Sequence, residues 1–274
     1  MPTRSIVISA SSDIGLALCN HMLTAGHEVF GTYRKHSASL VRLEGHGAKL
    51  AHCELSNTKS IDNALNHLIS ICPYWDQLIL CPGSQEPVGK FTQCDFDQWE
   101  ESILINFTAQ MRCVHKLMKT RNLHAPKGPL VLFFAGGGTN NATTNYSAYT
   151  LSKIALIKAC ELLHAEEADS RFVILGPGWV KTKIHMSTIS AGPELAGGNY
   201  TRTIDKLASD ECNPMSRVIE CCDWVLGSDR EIVSGRNFSV VFDSWGEPKL
   251  DKILLNDNNM YKLRRYGNDF DARI

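Results

Sequence analysis

Short β-branched runs alternate with longer amphipathic stretches from the start of the chain to about residue 242, and few folds accept that alternation. A strand followed by a helix and then by a parallel partner strand has to cross over the sheet, so repeated strand–helix units cover both faces with helices. The runs predict strands over residues 4–9, 27–32, 49–53, 77–81, 129–134, 171–175 and 237–241. Apolar residues at helical spacing predict helices over 14–25, 39–45, 60–71, 97–121, 147–168 and 214–226, with Gly26 and Gly227 as stops. The expected class is α/β, a three-layer doubly wound fold around a seven-stranded, mostly parallel sheet. In such sheets ligands gather at the carboxyl ends of the strands. A chain of 274 residues with 43% hydrophobic content is long enough for one large core.

Two segments stand outside the alternation. Residues 183–213 contain Gly192-Pro193 and Gly197-Gly198, which interrupt any sustained helical pattern and predict a mobile flap attached to the domain 1–242. Residues 243–274 are polar and rich in Asp, Asn and Arg; an arm contacting another subunit, a cover over the site and a frayed tail all fit that composition.

Three places carry chemistry. The first strand runs into Ser9-Ala10-Ser11-Ser12-Asp13-Ile14-Gly15, a tight turn and helix start whose backbone N–H groups suit a diphosphate, with Ser11 and Ser12 as further donors. The same seven residues also fit an ordinary serine-rich turn capping a helix. After the second strand, Arg34 and Lys35 stand where an acidic residue would bind the adenosine ribose hydroxyls. A guanidinium there suits a 2′-phosphate, so the expected cofactor is NADP, with NAD the poorer fit. Finally, Tyr149 and Lys153 are four residues apart, which stacks a phenol and an ammonium on one helix face. A fixed cation beside a phenol is expected to lower its pKa toward the working range of an acid catalyst.

Taken together these residues resemble the short-chain dehydrogenase/reductase family over roughly residues 4–242, which implies a Rossmann fold and hydride transfer with NAD(P). The family's turn motif corresponds to Ile8 through Gly15, with Ser9 and Asp13 in place of two glycines. Its adenine-binding acid corresponds to Glu54, followed by Leu55, and its Asn-Asn-Ala-Gly segment keeps only Gly83 within Leu80-Cys81-Pro82-Gly83. The resemblance assigns Asn106 to the catalytic tetrad, holding a water between Lys153 and solvent. It assigns Tyr149 and Lys153 to the active-site pair, Lys153 also holding the nicotinamide ribose. Pro177-Gly178-Trp179-Val180-Lys181-Thr182 matches the segment beside the nicotinamide, with Pro177, Gly178, Val180 and Thr182 as contacts.

One position departs from the family. Gly136 lies 13 residues before Tyr149, where the resemblance calls for a catalytic serine. Either Thr139 or another hydroxyl of this loop supplies the missing donor, or the N–H groups of Gly136-Gly137-Gly138 do, or activity is weak or lost. The expected function is an NAD(P)-dependent oxidoreductase acting on a carbonyl or secondary alcohol; the alternative is an NADP-binding sensor without turnover. The amide- and hydroxyl-rich run 139–145 beside the flap favours a small polyhydroxy or sugar-like substrate.

Composition narrows the partners. With 28 basic and 29 acidic residues scattered along the chain, neither nucleic acid nor an anionic membrane surface is an expected partner. The apolar run Ile6-Val7-Ile8 is too short for a signal-peptide core, no stretch approaches the ~20 apolar residues of a spanning helix, and the ten cysteines lack metal-ligand spacing. No metal, reduced thiols and a cytoplasmic location are expected. The helix over 97–121, with Ile103, Phe107, Met111 and Val114, either faces the sheet or joins the 147–168 helix in the interface of a homodimer or homotetramer.

Overall fold

The computed structural model describes residues 2–265. Seven strands form one parallel sheet in the order β3-β2-β1-β4-β5-β6-β7: β1 (Arg4–Ile8), β2 (Glu28–Tyr33), β3 (Lys49–His52), β4 (Gln77–Leu80), β5 (Leu130–Phe134), β6 (Arg171–Gly176) and β7 (Arg236–Ser239). The order reverses between β1 and β4, which is the switch point where a doubly wound sheet opens a crevice.

The strands read as continuous apolar runs because both sheet faces are covered. Ile6 and Ile8 face one core with Val131 and Phe133, while Val7 faces the other with Leu130 and Leu132, the period of two expected for a strand. Helices α1 (Asp13–Thr24) and α2 (Ala38–Gly45) cover the second face, joined later by α9 (Met215–Gly227) and α11 (Pro248–Asn256). The first face carries α3 (Thr58–Ile71), α5 (Ala109–Leu117) and α6 (Ser147–Glu166). The three-layer, doubly wound α/β class is therefore the observed one.

Three segments differ from the sequence expectation. The single helix expected over 97–121 is α4 (Phe96–Ile103), a π-helical turn at Leu104–Thr108, then α5 and a short 3₁₀ turn at Met118–Thr120. Within it Val114 is buried and Phe107 and Met111 pack on the core, so these residues face the sheet. The segment expected as an irregular flap holds two helices, α7 (Met186–Ala196) and α8 (Gly198–Ala208). Its glycines break the period without abolishing the helices: Gly192 bends α7 with φ 75°, and Gly197 separates the two with φ 55°. Beyond β7 and the short α10 (Arg230–Val233) that precedes it, α11 buries Leu250 and Leu254. The Arg236 guanidinium donates to the carbonyls of Leu254, Asp257 and Met260, and Asn237 N–H to Tyr261 O, so residues 257–261 lie along the edge strand. The remainder of the expected tail, 266–274, lies outside the described residues.

Among the described residues no helix is long and apolar enough to cross a membrane. The ten cysteines are free thiols, eight of them buried among apolar side chains and raised well above their ordinary pKa by desolvation.

Candidate active site

The carboxyl ends of the strands open into one cleft of about 1650 Å³. At its β1 end the turn keeps the shape of a glycine turn without most of the glycines. Ser9 adopts φ 61°, a left-handed conformation, and its N–H donates to Thr32 Oγ1 at 3.0 Å. Ser12 caps α1 by accepting from Gly15 N–H at 3.0 Å. Gly15 is packed so closely that a Cβ would lie 2.5 Å from Ser9 O. Ser9, Ser11, Ser12, Asp13 and Ile14 line the cleft; Gly15 lies behind them. Asp13 makes a contact that sequence reasoning missed: its carboxylate accepts from Lys183 N–H at 2.6 Å and pairs with Lys183 Nζ at 3.4 Å. The two residues are 170 positions apart, and no local pattern joins them.

Arg34 lines the cleft beyond β2, whereas Lys35 is exposed and does not. Glu54, Leu55 and Gly83 line it beyond β3 and β4; the Glu54 N–H is held by Ser60 Oγ at 2.9 Å.

At the centre, α6 carries Tyr149 and Lys153, both buried at 9% and 3% exposure. Lys153 Nζ donates to Pro82 O and Phe134 O, each at 3.0 Å, so the ends of β4 and β5 hold the ammonium between them. Nζ stands 5.7 Å from the Tyr149 ring centroid. Burial sets both titrations: it lowers Lys153 to about 8 and raises Tyr149 to about 12. The expected depression of the phenol pKa is therefore overturned in the protein alone, because desolvating a phenolate outweighs an ammonium whose nearest bonds go to carbonyls.

Asn106 is fully buried in the π turn. Its Oδ1 accepts from Ser84 N–H at 2.9 Å, and its Nδ2 donates to Ser84 O at 2.8 Å and to Ser102 Oγ at 3.1 Å. It thus clamps the loop after β4. Gln110 connects it toward Lys153, donating from Nε2 to Asn106 O at 2.8 Å and to Pro82 O at 3.4 Å. Ser102 and Gln110 lie one turn either side of Asn106, a spacing of four that was readable on the helix.

Gly136 to Gly138 and Thr139 line the cleft, with Thr139 half-buried, and α7 and α8 border it as a helical cover through Thr188 and Asn199. The cover is tied down by Tyr146 Oη and Thr188 Oγ1, 2.7 Å apart, and by Thr188 Oγ1 donating to Gln85 Oε1 at 3.3 Å. Pro177, Gly178, Val180 and Thr182 line the β6 end. Next to them Trp179 stacks on His185 at 4.6 Å, with His185 Nε2 2.9 Å from Val180 O. His185 is buried, which lowers its pKa.

A site with a phenol and an ammonium at the crevice of a parallel sheet defines a class, and comparison with known proteins gives that class its name. The family model for short chain dehydrogenases matches residues 4–191, so the chain belongs to the short chain dehydrogenase family. It is 27% identical over 153 residues to the short-chain dehydrogenase/reductase olcF of Penicillium canescens, a match covering 56% of this chain and 58% of that one. The chain spans just over half the length of the curated relatives it matches. Its fold is that of a short chain dehydrogenase/reductase from Saccharomyces cerevisiae (TM-score 0.77, 20% identity, 90% of this chain and 98% of that one). The actinorhodin polyketide ketoreductase crystallised with NADPH is similar too (TM-score 0.76, 18% identity, covering 87% and 95%).

Proposed function

We propose that this chain is an NADP-dependent oxidoreductase that interconverts a carbonyl and a secondary alcohol. The observation that carries the reading is the Tyr149–Lys153 pair, a proton-holding phenol next to an ammonium anchored on two strand-end carbonyls. When bound, the nicotinamide supplies or accepts the hydride. In the reductive direction Tyr149 Oη gives its proton to the substrate oxygen as the carbon gains hydride; in the oxidative direction the phenolate takes that proton back. Lys153 stays cationic below pH 8 and stabilises the phenolate left by proton transfer. Asn106 acts by fixing Ser84 and the loop after β4.

The cleft suits a dinucleotide on its own geometry. A Cβ at Gly15 would collide with the turn that shapes the crevice, and the cleft runs unbroken from Arg34 past the turn to Lys153. Arg34 stands at the adenosine end with no ion-pair partner among the described residues, and a 2′-phosphate is the anion that geometry serves. Ser11, Ser12 and Ile14 N–H serve the diphosphate, Glu54 and Leu55 the adenine, and Pro177, Gly178, Val180 and Thr182 the nicotinamide end. Thr139 borders the substrate space. The hydroxyl and amide groups of Thr139, Asn140, Asn141, Thr143 and Asn199 along its edge favour a sugar-like substrate.

Ten free thiols support a cytoplasmic setting. A homodimer or homotetramer is supported by exposed apolar side chains on α4 and α6: Phe96 at 54% and Leu151 at 52% exposure, with Leu104 on the π turn between α4 and α5.

NADPH oxidation over a panel of sugars, ketones and aldehydes tests the reading. Turnover with any of them, faster with NADPH than NADH, is expected; tight NADP(H) binding with no turnover across the panel contradicts it in favour of a sensor.

A further inference from the structure

The space over Gly136 belongs to Tyr149. A Cβ built on this glycine would stand 2.6 Å from Tyr149 Cε1, 2.7 Å from Oη and 2.8 Å from Cζ, all far inside the ~3.5–4.0 Å of a relaxed contact. The backbone side of this contact is fixed, so relief has to come from the ring. Ala135, just before the glycine, is held to the sheet by its N–H bond to Leu175 O at 2.8 Å. The Tyr149 ring is buried in a small cluster with Val88, Tyr146 and Ala196, which links α6 to the helical cover. The demand is specific to the position, since a Cβ on the neighbouring Gly137 would meet nothing within 4 Å.

We infer that Gly136 is a positioning residue for Tyr149: the missing side chain lets the phenolic oxygen settle against the end of β5, in space that a hydroxyl-bearing side chain would need for itself. The inference rests on the reading of Tyr149 as proton donor. It turns the apparent loss of a catalytic serine into a steric requirement. A serine restored at 136 pushes the phenol out of place instead of adding a second donor, and an alanine does the same, because the collision begins at Cβ.

A double-mutant cycle decides this without any substrate. Gly136→Ala and Gly136→Ser are each made in the full chain and in a Tyr149→Ala background, and thermal unfolding is followed for all. Each is expected to lower Tm by about 3–8 °C alone and by less than about 1 °C when the ring is absent. Failure to fold alone with recovery in Tyr149→Ala is the same result in stronger form. Equal losses in both backgrounds, or failure to fold in both, overturn the inference. On a carbonyl substrate found in the panel, turnover is expected to fall on the order of 100-fold for both replacements. A rise with serine but not with alanine also overturns it. Absence of turnover in the unmodified protein defeats the proposed function alone, since the thermal cycle still reads the contact.

Discussion

The turn after β1 and the end of β5 depart from the family pattern in opposite directions. At the turn, side chains stand where glycines were expected, yet the backbone keeps a glycine-like shape: Ser9 holds φ 61° and Asp13 turns its carboxylate onto Lys183. At the end of β5 a glycine stands where a hydroxyl was expected, and a ring fills the gap. The turn accepts Ser9 through a left-handed backbone and Asp13 through a partner at its rim; Gly136 has a buried phenol above it. What a position requires is set by neighbours in space, here 13 and 170 residues away.

If the two regions differ in this way, changes at the β5–α6 end act on stability and turnover together, while changes near the turn act on dinucleotide affinity. The largest expected effect lies at Lys153. Its folded pKa near 8 is below its ordinary value of 10.5, so between those values the unfolded chain binds more protons than the folded one and this residue makes stability rise with pH. Below pH 8 the full penalty of burying the ammonium remains. Lys153→Met removes that rise, at most about 1.4 kcal/mol per pH unit, and denaturation midpoints of both proteins from pH 7.5 to 10 read it. Parallel curves would show that the ammonium is not buried in solution.

A smaller effect is expected at the adenosine end. Arg34→Ala weakens NADP binding roughly tenfold or more and leaves NAD binding within about twofold, as titration calorimetry would read. Equal losses for both dinucleotides would move the 2′-phosphate away from Arg34. The smallest concerns Ser9: relieving its left-handed strain with Ser9→Gly raises Tm by about 1–3 °C without loss of dinucleotide affinity. A fall in Tm would mean that the serine side chain, and not the backbone, holds the turn.

Much of the scaffold was legible because both-face burial writes itself as apolar runs: all seven strands lie within two residues of their expected positions at each end. The Tyr149–Lys153 pair was legible from its spacing of four. Its electrostatics were not, since the titration of both groups is decided by burial between α6 and the ends of β4 and β5. The helices α7 and α8 escaped because Gly192-Pro193 and Gly197 fall inside their period. The break at Leu104–Thr108 escaped because its companion is Asn106 reaching Ser84, a bond across 22 residues. Lys183 and the ring over Gly136 belong to the same group of long-range partners.

The account stands on the phenol of Tyr149 as proton donor to a carbonyl next to the dinucleotide. Tyr149→Phe removes only the hydroxyl, and its effect is read as the rate of NADPH oxidation on a carbonyl substrate at pH 7, with NADPH affinity measured alongside. A fall of about 10²–10⁴-fold in rate at nearly unchanged NADPH affinity is predicted; a variant that keeps the full rate contradicts the account.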